Sequence, residues 1–169
     1  DEAGTNIAVA WQNIPKDDIY YPYIITTSER EKLAKAVVGS TSTNIWYILS
    51  STIGGVAKTS KLKRAYFIED AKPSLSYSVY DGNSTTSALT GNSSKFIRFY
   101  SKLNFTLNAY GREYATITSK STTYQGATNT SSSGSFTGIE SNIITFSATD
   151  NRNQTTTENL ELDIIEYIK

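Results

Sequence analysis

The 169-residue chain contains no cysteine, no methionine and no histidine. Without cysteine it forms no disulfide and offers neither a thiolate nucleophile nor a thiolate metal ligand. Without histidine it lacks the commonest metal ligand, the usual proton carrier near neutral pH and any histidine-based catalytic triad. Chemistry based on carboxylates alone remains open, but no acidic pair stands out from its spacing. We therefore expect no enzymatic activity, no metal site and no cofactor.

Net charge is also absent. The chain carries 16 Lys and Arg against 16 Asp and Glu, and charged residues make up only 19% of it. A nucleic-acid-binding protein needs a basic face, so we expect no nucleic-acid partner. No apolar run approaches the roughly 20 residues of a membrane span, so we expect no membrane insertion of the mature chain.

The chain is instead rich in serine and threonine, which make up roughly a quarter of it, and in tyrosine, with 12 residues. Many segments alternate apolar and polar residues, the pattern of half-buried strands. The longest alternation covers residues 95–110. Its apolar parity, which we expect to face inward, is interrupted only by Ser101 and comprises Ile97, Phe99, Leu103, Phe105 and Leu107. A near-continuous apolar run at residues 44–53 predicts a strand buried on both faces, and the Ser/Thr/Gly-rich residues 118–138 predict a long surface loop or an extended edge.

One short helix interrupts this pattern. Ser28 is a suitable N-cap, and Glu31 stands three residues later, as a capping box requires. About eight to ten strands with no alternation of strand and helix predict an all-β, antiparallel β-sandwich with an immunoglobulin-like arrangement.

The N-terminal segment at residues 6–14 reads as a strand. Large apolar side chains occur at every second position, with alanines between them; the residues are Ile7, Ala8, Val9, Ala10 and Trp11. The chain starts Asp-Glu-Ala without methionine, which predicts processing such as signal-peptide removal, although a trimmed and renumbered chain would look the same.

Two interpretations of this segment compete. It is either the first strand of the chain's own fold or a strand that leaves the body and completes a neighbour's sheet. Strand addition supplies main-chain hydrogen bonds while alternate side chains fill pockets. The second interpretation divides the chain at Pro15 into a tail, residues 1–14, and a head, residues 15–169.

Five Asn-X-Ser/Thr sequons are candidate N-glycosylation sites: Asn83, Asn92, Asn104, Asn129 and Asn153. Among 12 asparagines in so Ser/Thr-rich a chain, chance alone yields roughly three sequons. Four lie in predicted turns or loops, and Asn104 lies on the polar parity of its strand. All five could therefore carry glycans on the surface, although a Ser/Thr-rich surface alone would produce a similar pattern.

In this organisation the chain resembles the subunits of archaeal surface filaments built by donor-strand complementation, especially the threads of thermoacidophilic archaea. The apolar N-terminal residues and the sequon asparagines carry the resemblance, which extends over the whole chain rather than resting on one motif. It implies a pilin-like sandwich head with N-glycans and a tail inserted into the adjacent subunit. The partners would be identical subunits in a helical homopolymer outside the cell. Type IV pilins begin with a long apolar helix that this chain lacks.

The acceptor groove is left open by the sequence, with candidate walls at residues 46–49, 97–107 and 160–168. A secreted carbohydrate-binding or viral receptor-binding β-domain is the main alternative, and it predicts a monomer or closed trimer with Trp11 packed into its own body. Trp11, Trp46 and tyrosines could form a sugar platform, although packing between strands explains most of the tyrosines. A carboxylate-dependent glycan hydrolase is a third possibility, without a recognisable site.

Overall fold

The computed structural model describes residues 26–69 and 71–167, so the predicted tail and its boundary at Pro15 lie outside the described residues. The described chain is mostly β and confirms an all-β fold. Its elements are α1 (Thr27–Ala36), β1 (Ser42–Ile53), β2 (Val56–Phe67), β3 (Ser74–Asp81), α2 (Ser84–Thr90), β4 (Lys95–Ile97), β5 (Leu103–Tyr110), β6 (Ile117–Tyr124), β7 (Ala127–Asn129), β8 (Ser133–Phe136), β9 (Ile143–Asp150), β10 (Thr155–Glu161) and β11 (Asp163–Ile165).

The strands form four sheets, and three of these are antiparallel. One has the order β3-β5-β8 and a second the order β10-β9-β6-β7; in the third, β1 pairs with β2 and with no other described strand. The two short strands β4 and β11 pair in parallel. We call β1 and β2 with their turn the hairpin, and the elements from β3 to β11 the body.

The body has one hydrophobic core, to which both of its larger sheets contribute. Leu103, Phe105 and Leu107 of β5 are buried on one parity, as the alternation predicts. The rings of Tyr77 on β3 and Phe146 on β9 stack with their centroids 4.2 Å apart. The remaining buried members of the cluster are Phe96, Tyr124, Ile139, Ile144 and Leu162. Burial of these apolar side chains is the main stabilising contribution to the body.

The alternation at residues 95–110 is broken into β4 and β5 instead of forming a single strand. The break lies at Ser101, a buried residue whose hydroxyl accepts a hydrogen bond from the Ile97 N–H at 2.7 Å. Phe99, which shares the apolar parity, is 56% exposed and has a positive φ of 64°. The expected inward position of Phe99 is therefore wrong, because the chain turns here.

Two helices are present among the described residues, so the expectation of one short helix is wrong. The first, α1, begins two residues earlier than predicted: Thr26 and Glu29 form the capping box. Glu31 pairs instead with Lys35 one turn later, at 2.6 Å. The second helix, α2, begins after the N-cap Asn83 where only a turn was expected.

The Ser/Thr/Gly-rich residues 118–138, expected to be a loop or an extended edge, form the internal strand β6 and the edge strands β7 and β8. The loop alternative is therefore wrong, the edge alternative is confirmed for β7 and β8, and β6 was not expected. Threonine is a β-branched residue that favours strands, and its hydroxyl can pair across a sheet. Similar hydroxyl pairs join β9 to β10, where Ser147 lies 3.1 Å from Thr157 and Thr149 lies 2.8 Å from Thr155. The outer face of the four-stranded sheet therefore obtains much of its polarity from hydroxyl groups.

The apolar run at residues 44–53 forms β1, but the prediction that it is buried on both faces is wrong. Trp46 is 46% exposed and Ile48 is 45% exposed. The base of the hairpin packs on other described elements: Tyr66 lies against a small cluster of Ala34, Val37, Ile68 and Ala71. No described strand other than β2 pairs with β1, and no described sheet lies opposite the apolar side chains of β1.

Candidate assembly surfaces

The proposed donor residues Ile7, Ala8, Val9, Ala10 and Trp11 lie outside the described residues. Of the predicted donor-strand joint, the described residues therefore include the candidate acceptor walls but not the donor strand. Of the candidate walls, residues 46–48 lie on the exposed hairpin, whereas Leu103, Phe105 and Leu107 are already covered by the body's own side chains. In the third wall, Leu162 is buried and Ile165 is 38% exposed.

An open position lies along the second half of β5. On one side, β3 pairs with all of β5, from Leu103 to Tyr110. On the other side, β8 pairs only as far as Thr106. Beyond that point a groove of about 490 Å³ is lined by Ala109 of β5, by residues 117–120 of β6 and by Thr130. The groove thus opens where β5 has no second partner strand in the part of the chain that the structure describes.

The groove has a polar component. The ammonium group of Lys120 donates to the hydroxyl of Ser132 at 2.6 Å and lies 3.4 Å from the carbonyl oxygen of Leu107. Leu107 in turn donates its N–H to the carbonyl of Ser132 at 2.7 Å. A strand entering here would extend the sheet past Thr106 and meet a lysine that has flexible reach.

The hairpin offers a different surface. Its strand β1 has no charged residue, whereas all four charged residues of β2 are basic: Lys58, Lys61, Lys63 and Arg64. The ammonium group of Lys63 lies 5.5 Å from the ring centroid of Trp46 on the facing strand. Such an exposed cation–π contact contributes about 0.5–1 kcal/mol. The charged residues of the hairpin are thus carried by β2 alone, whereas both strands carry exposed apolar residues.

A third surface is aromatic. The ring centroids of Tyr100 and Tyr167 lie 5.6 Å apart. Tyr100 is 62% exposed and Tyr167 is 50% exposed. Phe99 lies next to Tyr100 in sequence and is also exposed. Sequence alternation did not indicate this cluster, because it predicted Phe99 to be buried.

Asp81 is a buried carboxylate at the junction of β3, α2 and β5. One oxygen accepts from the N–H groups of Asn83 and Lys102, at 2.9 and 3.1 Å. The other accepts from the hydroxyls of Thr86 and Ser101. Burial acts to raise the pKa of Asp81, but the four hydrogen bonds outweigh it, so the pKa lies below its ordinary value. With both oxygens engaged, the carboxylate holds the fold together at this junction.

Arg152 is the largest fully buried side chain in the described residues, and nothing in the sequence pattern indicated it. Its guanidinium donates to the carbonyls of Ala34 at 2.7 Å, Val37 at 3.3 Å and Arg112 at 3.1 Å. The first two carbonyls lie at the end of α1, and the last carbonyls of any α-helix have no hydrogen-bond partner within the helix. Arg152 therefore fastens α1 to the body across more than a hundred residues of sequence.

All five sequon asparagines lie among the described residues, none of them fully buried. In three of them the side-chain oxygen accepts a hydrogen bond from the main-chain N–H of the residue two positions later. The distances are 3.0 Å for Asn83, 2.8 Å for Asn92 and 2.8 Å for Asn129. A glycan would be attached to the amide nitrogen instead. In Asn83 that nitrogen donates to the carbonyl of Tyr100, and in Asn153 it donates to the carbonyl of Gly39.

The sequons differ in how free this nitrogen is. In the half-buried Asn104 it lies against Gly82, so closely that a Cβ there would be only 2.3 Å away. The amide nitrogen of Asn92 has no hydrogen bond within the described part of the chain, and Asn92 is exposed. Asn92 is therefore the sequon most available for attachment.

No protein-family model, curated protein or solved structure matches this chain. Neither of the two described helices is long and apolar enough to cross a membrane. Within residues 26–69 and 71–167, no group of three or more acidic residues is arranged to hold a metal ion.

Proposed function

We propose that this chain is a structural, non-enzymatic subunit of an extracellular filament. In this proposal the subunit polymerises when its N-terminal strand, with Ile7, Val9 and Trp11 as apolar plugs, enters a groove of the adjacent subunit. A head-to-tail joint of this kind does not close on itself, so it propagates a fibre. Identical subunits are the partners.

The observation that carries the proposal is the open half of β5. Pairing with β8 stops at Thr106, and the last main-chain hydrogen bond on that side runs from the Leu107 N–H to Ser132. Residues 108–110 of β5 therefore have no described partner strand there and leave room for an added one. The adjoining groove is lined in part by Ala109 and Ile117. Strand addition uses such an unpaired edge for hydrogen bonds and a neighbouring groove for alternate side chains.

The proposal includes a β-sandwich for the body. Supporting it, the stacked rings of Tyr77 and Phe146 join the three-stranded sheet to the four-stranded sheet. The hydroxyl of Tyr77 also donates to Glu158 of β10 at 3.0 Å, and burial is the main cause that raises the pKa of this tyrosine. An added strand beside β5 would extend one of the two layers.

Truncation tests the proposal directly. We expect the chain without residues 1–14 to keep a cooperative unfolding transition and to form no filaments under electron microscopy. A synthetic peptide of residues 5–14 should bind the truncated chain in a one-to-one ratio. Filaments formed by the truncated chain would contradict donor-strand assembly.

The alternating pattern provides a matched control. Serine at the three plug positions, Ile7, Val9 and Trp11, should abolish polymerisation, because the groove would lose its apolar contacts. Serine at Ala8 and Ala10, which lie on the other parity, should leave filament formation nearly unchanged. Equal loss in both variants would show that the segment does not act through alternate side chains.

N-glycosylation belongs to the same proposal, with Asn92 as the first candidate site. The intact mass of natural material should exceed the 18.6 kDa of the bare chain. Asn92→Gln should remove one glycan mass, whereas Asn104→Gln should change nothing, because the Asn104 amide nitrogen is packed against Gly82. An intact mass equal to that of the bare chain contradicts this part of the proposal.

The exposed aromatic cluster supports one competing function, a carbohydrate-binding module. Tyr100 and Tyr167 present ring faces of the kind on which sugars stack. This alternative predicts a discrete particle instead of a fibre. Tyr100→Ala should then abolish glycan binding, both in the full chain and in the chain without residues 1–14. Glycan arrays and sedimentation distinguish it from a filament subunit.

A further inference from the structure

The two strands of the hairpin have edges of opposite character. Each strand is 12 residues long and has one neighbouring strand within residues 26–69 and 71–167. An unpaired edge is a template for another strand, and lysine is a common device that blocks such pairing. The edge of β2 carries four basic residues, so a second β2 beside it would double the positive charge. The edge of β1 carries no such protection.

Strand β1 is also symmetric about its centre. Its apolar residues, Ile45 to Leu49, are flanked by Ser42-Thr43-Asn44 on one side and Ser50-Ser51-Thr52 on the other. Tyr47 lies at the midpoint. In an antiparallel pair of two β1 strands centred on Tyr47, apolar residues oppose apolar residues and polar triplets oppose polar triplets. No charge opposes a like charge in this arrangement.

The main-chain geometry permits the same register. Gly54 and Gly55, with φ of 58° and 78°, form a two-residue turn closed by the pair Ile53 and Val56. The pair that closes such a turn is hydrogen-bonded, so every second residue back from Ile53, including Tyr47, bonds to β2. The intervening residues, such as Trp46 and Ile48, direct their main-chain groups to the free edge.

A register centred on Tyr47 opposes Trp46 with Ile48 of the second copy, and both of these face the shared edge. Hydrogen-bonding positions therefore meet hydrogen-bonding positions along the whole strand. The exposed fractions of Trp46, Tyr47 and Ile48, 46%, 46% and 45%, show how much apolar surface such a pairing has available to cover. A two-stranded hairpin alone is marginally stable, whereas a four-stranded sheet is not.

From the uncharged, self-complementary edge of β1 and the blocked edge of β2, we propose that β1 pairs antiparallel with β1 of a second copy, forming a two-fold symmetric, four-stranded sheet. This contact is independent of the N-terminal strand and of the open half of β5. In a filament it would join two fibres side by side, because a two-fold contact closes on itself. In the absence of filaments it would produce a dimer.

Tyr47 and Leu62 provide a matched pair of positions for the test. They face each other on the two strands of the hairpin and are equally exposed, at 46% and 47%. Only Tyr47 lies on the strand that pairs in the proposal. Tyr47→Lys in the full chain should weaken self-association by about tenfold or more, because two ammonium groups would meet at the two-fold axis. Leu62→Lys should leave it unchanged in sedimentation equilibrium.

Cysteine variants test the geometry without breaking the contact. Because the chain has no other cysteine, Tyr47→Cys should form a disulfide-linked pair under mild oxidation, and Leu62→Cys should remain single. If filaments form, Tyr47→Lys should leave single fibres where the parent chain shows paired ones. If no filament forms, the disulfide result still decides the pairing.

Three outcomes would overturn the proposal. The parent chain could be wholly monomeric and unpaired at micromolar concentration, the two lysine variants could weaken association equally, or the two cysteine variants could cross-link equally. Circular dichroism of each variant should match that of the parent chain, since both positions are exposed. Loss of filaments on deletion of residues 1–14, without loss of the Tyr47→Cys cross-link, would separate this contact from the donor strand.

Discussion

Phe146 in the body has no exposed surface, whereas Trp46 in the hairpin leaves 46% of its surface exposed. Both lie in strands with many large apolar residues, and both strands are antiparallel to their neighbours. The difference is that β9 has β3 packed on its inner face, while β1 has no described sheet opposite it. Apolar content therefore predicts a strand in both regions, but burial depends on what packs against it.

The first prediction tests this difference in burial and has the largest expected effect on stability. Phe146→Ala should lower the free energy of unfolding by about 3–5 kcal/mol, because it removes a fully buried ring stacked on Tyr77. Tyr47→Ala in the hairpin should change the unfolding midpoint little, since that side chain is half exposed. Urea denaturation of both variants measures the two effects. Similar losses would mean that hairpin and body share one core.

The second prediction concerns the tie between α1 and the body. Arg152→Leu should cost about 2–4 kcal/mol, because the carbonyls of Ala34 and Val37 would lose a buried donor. Arg30→Leu is the control: it removes an exposed ion pair from α1 to Glu113 and should change stability little. Hydrogen exchange should show α1 opening in the first variant only.

The third prediction concerns pH. The pKa of Asp81 is lower in the folded chain than its ordinary value of about 3.9, so the ionised carboxylate stabilises the fold above that pH. This contribution is lost as the pH falls through the folded-state pKa. Asp81→Asn should cost about 1–3 kcal/mol at neutral pH and should flatten the acid limb of a stability–pH curve. An unchanged acid limb would assign acid sensitivity to other groups.

The fourth prediction has the smallest effect and is confined to the hairpin. Gly55 has a φ of 78° and no atom within 4 Å of a Cβ built there, so Gly55→Ala costs only the backbone penalty of about 1–2 kcal/mol. We expect the end of the hairpin to fray in NMR spectra while the unfolding midpoint of the body stays constant. Thr52→Ala, outside the turn, should leave the hairpin signals in place.

Alternation predicted the body well, because on β5 a period of two directly reports which side chains face the core. The same method was wrong at Phe99, where the chain leaves the strand. It was also wrong at residues 44–53, where a continuous apolar run could not reveal that no described sheet lies opposite. At residues 118–138 composition left a loop and an extended edge open and did not indicate the internal strand β6, since serine and threonine suit loops and hydroxyl-paired strands equally.

The candidate site was less accessible to sequence reasoning. The sequons could be found by their pattern, but the environment of each amide nitrogen depends on contacts such as that between Asn104 and Gly82. Arg152 meets Ala34 across 118 residues of sequence, so no local pattern could indicate it. The open half of β5 depends on where β8 ends, which is set by pairing and not by composition.

The hydroxyl pairs between β9 and β10 have a consequence for the environments in which this surface works. Serine and threonine hydroxyls bind water without ionising over the usual pH range, and added salt has no charge on them to screen. The contribution of Ser147, Thr149, Thr155 and Thr157 to hydration is therefore the same in acid, in base and in brine. A surface coated with lysine and glutamate would change its charge across the same conditions, whereas these four hydroxyl groups stay hydrated and neutral.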